Sequence, residues 1–174
     1  MSSNRGRQFT GRVVQVDVED VTLPNGHVST YEFVRHPGGS AVVALDDQRR
    51  VCLLRQWRPA MNEWVWELPA GKRDHGEDPA ETARRELAEE AGWVATRWTD
   101  LGSNYPSPGV FCEVLYLYLA EGLSNTPSAL EPGEVLEVHW VPLAEACAQA
   151  LDGRLRDAKT IIGLLRAAAL RPEI

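Results

Sequence analysis

The stretch from Gly71 to Trp93, GKRDHGEDPAETARRELAEEAGW, decides how this chain is read. Asp78 is a good N-cap, Pro79 suits the first helical position, and Glu81 stands where a capping-box acid belongs. Gly92 suits the C-terminal stop. The stretch therefore predicts a helix over 79–91, with Ala80, Ala83, Leu87 and Ala91 as a narrow apolar stripe for packing on a sheet. Its other side is odd. Glu86 and Glu90 lie about 40° apart on the helical wheel, with Glu89 beside Glu86. Like charges at these spacings weaken a helix. Arg85 can pair with Glu89, whereas Glu86 and Glu90 face each other and Thr82. Such a cluster is either a solvated acidic face or an oxygen-rich site for a hard divalent cation.

Working outward, the chain reads as alternating strands and helices. Arg12–Val18 and Val28–Val34 alternate apolar and polar residues around the turn Leu23-Pro-Asn-Gly26, as half-buried antiparallel strands do. Pro37-Gly-Gly39 breaks that pattern. Ala41–Leu45, Arg50–Arg58 and Val65–Leu68 read as strands before the helix. Beyond it, Leu101–Gly109 reads as a loop and 114–120 as a strand. Residues 121–134 read as an acidic loop and 135–141 as the last strand. Helices are expected near 142–151 and 157–170. This order predicts a mixed α/β fold.

Composition sets limits. The chain has 174 residues, 44% hydrophobic and 25% charged, enough for a substantial core. Net charge is −7, which disfavours nucleic-acid binding. No apolar run approaches the ~18 residues of a membrane span, and the start lacks the apolar stretch of a signal peptide. Cys52, Cys112 and Cys147 lie far apart in apolar surroundings. They read as buried free thiols in a reducing cytoplasm, with neither disulfide nor zinc spacing.

The register of the quoted stretch is specific. Gly71, Glu77, Arg85, Glu86, Leu87, Glu89, Glu90 and Gly92 stand where the Nudix hydrolase signature has them, and only Trp93 replaces its usual aliphatic residue. The chain thus resembles that superfamily. The resemblance implies an α/β/α sandwich with a mixed sheet and a metal-dependent hydrolase acting on a nucleoside diphosphate linked to another group. It implies that Glu86 and Glu90 ligate Mg²⁺ or Mn²⁺, with Glu89 and the Ala70 carbonyl. Arg85 and Glu77 would be an orienting pair.

Other segments resemble the ADP-ribose pyrophosphatase branch. These are Arg55-Gln-Trp-Arg-Pro59, Glu67-Leu-Pro-Ala-Gly71, Tyr105-Pro-Ser-Pro-Gly109 with Glu113, and Asp157-Ala-Lys-Thr160. The branch implies hydrolysis of ADP-ribose, with another nucleoside diphosphate sugar such as a GDP-hexose as the alternative substrate. A non-catalytic ligand sensor is a further, weaker alternative, since every acid of the signature is present. Arg58 would reach substrate phosphate or base. Glu67 would either hold structure or bind near the terminal ribose, and Glu113 would order the site or merely cap a strand. The general base would be Glu134, or else Glu131, with Glu89 as a fallback inside the signature. Tyr31 and Phe33 are candidates for stacking on the nucleobase. By the same resemblance, residues 1–38 form a small antiparallel sheet that crosses to a partner in a homodimer, and 39–174 form the hydrolase domain.

Overall fold

In the computed structural model, which describes residues 5–130 and 132–170, ten strands and three helices follow in mixed order. Strands β1 (Gly6–Thr10), β2 (Gln15–Thr22) and β3 (Val28–Arg35) form an antiparallel sheet in the order β1-β2-β3. Strands β4 (Gly39–Ala44), β7 (Ala70–Lys72), β8 (Trp93–Asn104) and β9 (Leu115–Asn125) form a mixed sheet ordered β7-β4-β9-β8. In it β4 and β9 run parallel and the other pairs antiparallel. Strands β5 (Arg50–Arg58), β6 (Glu63–Glu67) and β10 (Leu136–Pro142) form a third sheet, β10-β5-β6.

The central strands are buried on both faces, which is why they read as nearly continuous apolar runs. Ala41, Val43, Val51, Leu53, Leu117 and Leu119 face helices α2 (Leu143–Leu151) and α3 (Ala158–Leu170). Val42, Ala44, Cys52, Leu54 and Ala120 face α1 (Pro79–Ala91), whose Ala83, Leu87 and Ala91 pack there. Helices on both sides of sheet make the expected α/β/α sandwich. No helix among the described residues is long and apolar enough to cross a membrane.

Helix α1 has the predicted limits. Asp78 Oδ1 accepts from the Ala80 N–H at 2.8 Å, and Gly92 closes the helix at φ 71°. Glu81, however, ion-pairs with Arg84 at 2.6 Å instead of completing a capping box. Trp93 is half-buried against Trp140, with ring centroids 5.3 Å apart, so the larger residue fills space at the edge of the α1 core.

Three expectations need correction. Leu101–Asn104 belongs to β8, where Gly102 at φ 82° sits in a bulge that hides the strand pattern. Strand β9 runs to Asn125, into the segment read as loop, because β8 offers it a partner that far. The cysteines are free, but only Cys52 is fully buried; Cys147 is half-buried and Cys112 exposed.

Candidate active site

The strand β7 and helix α1 build the acid cluster together. Chain entering from Leu68 is fixed at both ends. The Leu68 N–H donates to Thr160 Oγ1 at 2.8 Å, and the Pro69 carbonyl accepts from Val42 N–H at 2.9 Å. Ala70 N–H then donates to Glu90 Oε2 at 2.7 Å. Gly71 lies directly against the Glu86 carboxylate, and a Cβ there would overlap it. Glycine is required because backbone and carboxylate approach so closely.

Arg85 is the hub of the cluster. Its guanidinium donates to Glu77 Oε1 and Oε2, both at 3.0 Å, to Glu86 Oε1 at 2.7 Å, to Glu89 Oε2 at 3.1 Å and to the Lys72 carbonyl at 3.1 Å. One forked cation thus ties the loop to the helix, as the proposed orienting pair with Glu77 would. Glu77 also accepts from the Asp74 N–H and Thr82 Oγ1. The Arg85 bonds hold its carboxyl well below the usual range, at about 2.

Glu86 and Glu90 are in a different state. The two residues are 6% and 3% exposed. Burial pushes both carboxyls up, opposed at Glu86 by Arg85 and reinforced by the neighbouring Glu89 and Glu134. Glu90 reaches about 8, mainly through burial, with Glu86 and Glu134 adding to it and the Ala70 N–H opposing. Among the described residues no Lys or Arg is ion-paired with it. A buried acid without an ion-pair partner, next to a second carboxylate and a backbone carbonyl, suits a hard cation that takes one or two carboxylates and keeps several waters. No three His, Cys, Asp or Glu side chains among the described residues converge on one ligating point. Arg85 holds both Glu86 and Glu89, at 2.7 and 3.1 Å, whereas Glu90 bonds the Ala70 N–H.

The raised carboxyl has a sign-definite consequence. A folded pKa above the unfolded value of ~4.3 means the folded state holds the extra proton. That contribution is intact at low pH and is lost as pH rises from about 4.5 through about 8. Metal-free protein is therefore expected to show a melting temperature that falls across that window, and Glu90→Gln to flatten the slope. Thermal unfolding in chelator from pH 5 to 8 measures it; equal slopes in the two proteins would contradict the assignment.

A cavity of about 300 Å³ opens over this loop, lined by Ala70, Gly71, Arg58, Asn104, Glu113 and Lys159 among others. Arg58 grips Glu67 with two bonds, Nε to Oε1 at 2.5 Å and Nη2 to Oε2 at 2.7 Å. Lys159 also binds Glu67, and it lies 3.0 Å from Asp157 Oδ1. Burial pushes the Glu67 carboxyl up, but Arg58 and Lys159 outweigh it and hold the group below its ordinary value. Glu67 anchors two cations at the cavity wall and itself lines a second cavity beyond it. That cavity, of about 410 Å³, is also reached by Met61, Val65 and Arg156.

Other residues fall out as follows. Glu134 is half-buried, just before β10, and its charge acts on both Glu86 and Glu90. Glu131 lies outside the described residues. Glu113 is in the cavity wall, joined to His36 at 3.2 Å. Tyr31 and Phe33 stack on each other at 6.1 Å on β3. Phe33 lines a further pocket with Tyr105 and Phe111, which shares Glu113 with the cavity over Ala70 and Gly71. Sequence reasoning gave no role to Lys159, Asp157, His36 or Asn104. The Asp-Ala-Lys-Thr motif was the available signal for the first two.

The chain is similar to several known proteins. The NUDIX domain family model matches residues 34–163. The chain is 40% identical over 154 residues to the ADP-ribose pyrophosphatase of Bacillus subtilis (strain 168), covering 87% of this chain and 83% of that protein. It is 40% identical over 158 residues to the methanol dehydrogenase activator of Bacillus methanolicus, covering 90% and 85%. Among solved structures, an ADP compounds hydrolase superposes with a TM-score of 0.80 at 22% identity, covering 99% of this chain and 98% of that one, which speaks for the fold.

Proposed function

This chain belongs to the NUDIX family of hydrolases, and on that premise we propose that it cleaves the diphosphate of ADP-ribose, giving AMP and ribose 5-phosphate. The observation that carries the reading is the juxtaposition of two charge types in one place. A buried carboxylate pair lies under the Ala70-Gly71 backbone, and the cavity above that backbone has Arg58 and Lys159 in its wall. Acids alone would repel a diphosphate; at 4 Å a like pair costs about 4 kcal/mol at an effective dielectric of 20.

A divalent cation, Mg²⁺ or Mn²⁺, held by Glu86, Glu90 and the Ala70 carbonyl with help from Glu89, would polarise the phosphoryl oxygens and lower the pKa of water. The protein's own residues do the rest. Arg58 offers its guanidinium to the phosphate oxygens while Glu67 keeps it from swinging away. Arg85 holds Glu86 in place and carries the loop-to-helix connection through Glu77. Glu134 takes a proton from the attacking water. One P–O bond of the diphosphate breaks, and the water oxygen ends on one of the two phosphates.

For the base we assign a partner copy. The β1-β2-β3 sheet is largely uncovered, with Phe9 54% exposed, and it carries the stacked Tyr31 and Phe33. Residues 1–38 of one copy would complete the site of the other in a homodimer. The unbridged thiols suit a reducing cytoplasm.

Glu134→Gln tests the proton-transfer role. It is expected to lower kcat by about 10²–10⁴-fold, with little change in KM, because a base acts in the transition state. If Glu131→Gln shows that pattern and Glu134→Gln does not, the base lies three residues earlier; if neither does, Glu89 becomes the candidate. Comparing kcat/KM for ADP-ribose and a GDP-hexose separates the leading substrate from the alternative.

A further inference from the structure

The segment Asp157-Ala-Lys-Thr160 opens helix α3, and it grips the chain that enters the acid cluster. Asp157 Oδ2 accepts from the Thr160 N–H at 3.0 Å and from the Thr160 hydroxyl at 2.6 Å. With its proton given to Asp157, the hydroxyl oxygen accepts from the Leu68 N–H at 2.8 Å. Thr160 is fully buried and Leu68 nearly so. Lys159, beside it, binds Glu67 and lies 3.0 Å from Asp157 Oδ1. The helix also approaches Leu68 closely. A Cβ on Gly163, three residues further on, would stand 2.7 Å from Leu68 Cδ1.

Four successive residues are thereby fixed. Glu67 is held by Arg58 and Lys159, Leu68 by Thr160, the Pro69 carbonyl by the Val42 N–H, and the Ala70 N–H by Glu90. The ties at Glu67 and Ala70 involve charged groups, which respond to an arriving cation or diphosphate. Thr160 is a neutral tie, so it holds Leu68 whatever charge enters the site. Pro69 stiffens the short path from Leu68 to Ala70, because its ring fixes φ. A backbone carbonyl is only as well placed for a cation as the chain that carries it. Resting on the metal-dependent reading, we infer that Thr160 is a positioning residue for the metal site: it fixes Leu68, and through it the Ala70 carbonyl, against Glu86 and Glu90. Asp157 orients the hydroxyl. A hydroxyl is needed there because it donates on one side and accepts on the other at once; valine has nearly the same shape and does neither.

The test measures Mn²⁺ binding to full-length protein without substrate, from the electron paramagnetic resonance of the free ion, alongside thermal unfolding in chelator. Thr160→Val should raise the Mn²⁺ Kd about ten- to a hundredfold, the range for removing a group that orients a metal ligand. Thr160→Ser keeps donor and acceptor and should bind Mn²⁺ nearly as wild type does. Ala167→Gly weakens the same helix at a buried position one turn beyond Gly163. It should lower the melting temperature and leave the Mn²⁺ Kd unchanged, which separates positioning from helix stability. Should Thr160→Val fail to fold, Thr160→Ala, which cannot crowd the site, must show the loss relative to Thr160→Ser. An unchanged Kd in Thr160→Val, an equal loss in Thr160→Ser or Ala167→Gly, or failure of both Thr160→Val and Thr160→Ala to fold would overturn the inference and leave the proposed function standing. A wild type that binds no Mn²⁺ would overturn the metal-dependent reading, and this inference with it.

Discussion

Glu90→Gln is expected to fold normally and to lose kcat by more than about a hundredfold, beyond the 10–100-fold cost of changing a group that only supports a metal ligand. Glutamine keeps the shape of the side chain and an oxygen that can still accept from the Ala70 N–H, so the loop stays in place. What disappears is the negative charge. The variant is also expected to be more stable than the metal-free parent at pH 8, because it no longer has to ionise a buried carboxyl pushed up to about 8. Lower activity with higher melting temperature is what a strained functional acid predicts. Steady-state kinetics and thermal unfolding on the same preparation check both halves. Full activity in Glu90→Gln would remove Glu90 from the metal site.

Removing residues 1–38 should have the second-largest effect. The β1-β2-β3 sheet has a single buried residue, Asp17, which is held by Arg7 and Arg35. An isolated small sheet of this kind is marginal in water, so a second surface is needed. The truncated chain should be a monomer, or insoluble, with greatly weakened substrate binding. The cut also takes away the Val34 bonds to Val110 and Cys112 and the bond from Arg73 N–H to the Gly38 carbonyl. The full-length Tyr31→Ala/Phe33→Ala double variant therefore provides the cleaner comparison. It leaves the backbone intact and should raise KM in line with the ~1–3 kcal/mol that base stacking is worth in nucleic-acid binders. A soluble truncated monomer with unchanged kcat/KM would show that the sheet is neither an interface nor part of the site.

What could be read from sequence follows how local each feature is. Helix α1 and its acids were legible because caps, apolar stripe and carboxylate spacing all lie within one short segment. The central strands were legible because burial on both faces leaves unbroken apolar runs. Strand β8 was not legible, since it lies at the sheet edge and Gly102 interrupts it with a bulge. Glu81 shows a local rule losing to a neighbour: Arg84, three residues on, offered a charged partner. The cavity wall was the least legible. Lys159 reaches Glu67 across 92 residues, and His36 meets Glu113 through a parallel register that no short pattern announces. Cys112 looked buried from its apolar neighbours, but it sits on the segment beside β3, open to solvent.

The central claim is that the Glu86–Glu90 cluster and the Arg58 wall together make a divalent-cation-dependent diphosphate hydrolase. The most direct measurement incubates purified wild-type protein with ADP-ribose, in Mg²⁺ and in excess chelator, and resolves the products by chromatography. AMP and ribose 5-phosphate appearing in equal amounts with Mg²⁺, and neither with chelator, is the predicted result. Undiminished turnover in chelator, or intact ADP-ribose in saturating Mg²⁺, would contradict the account.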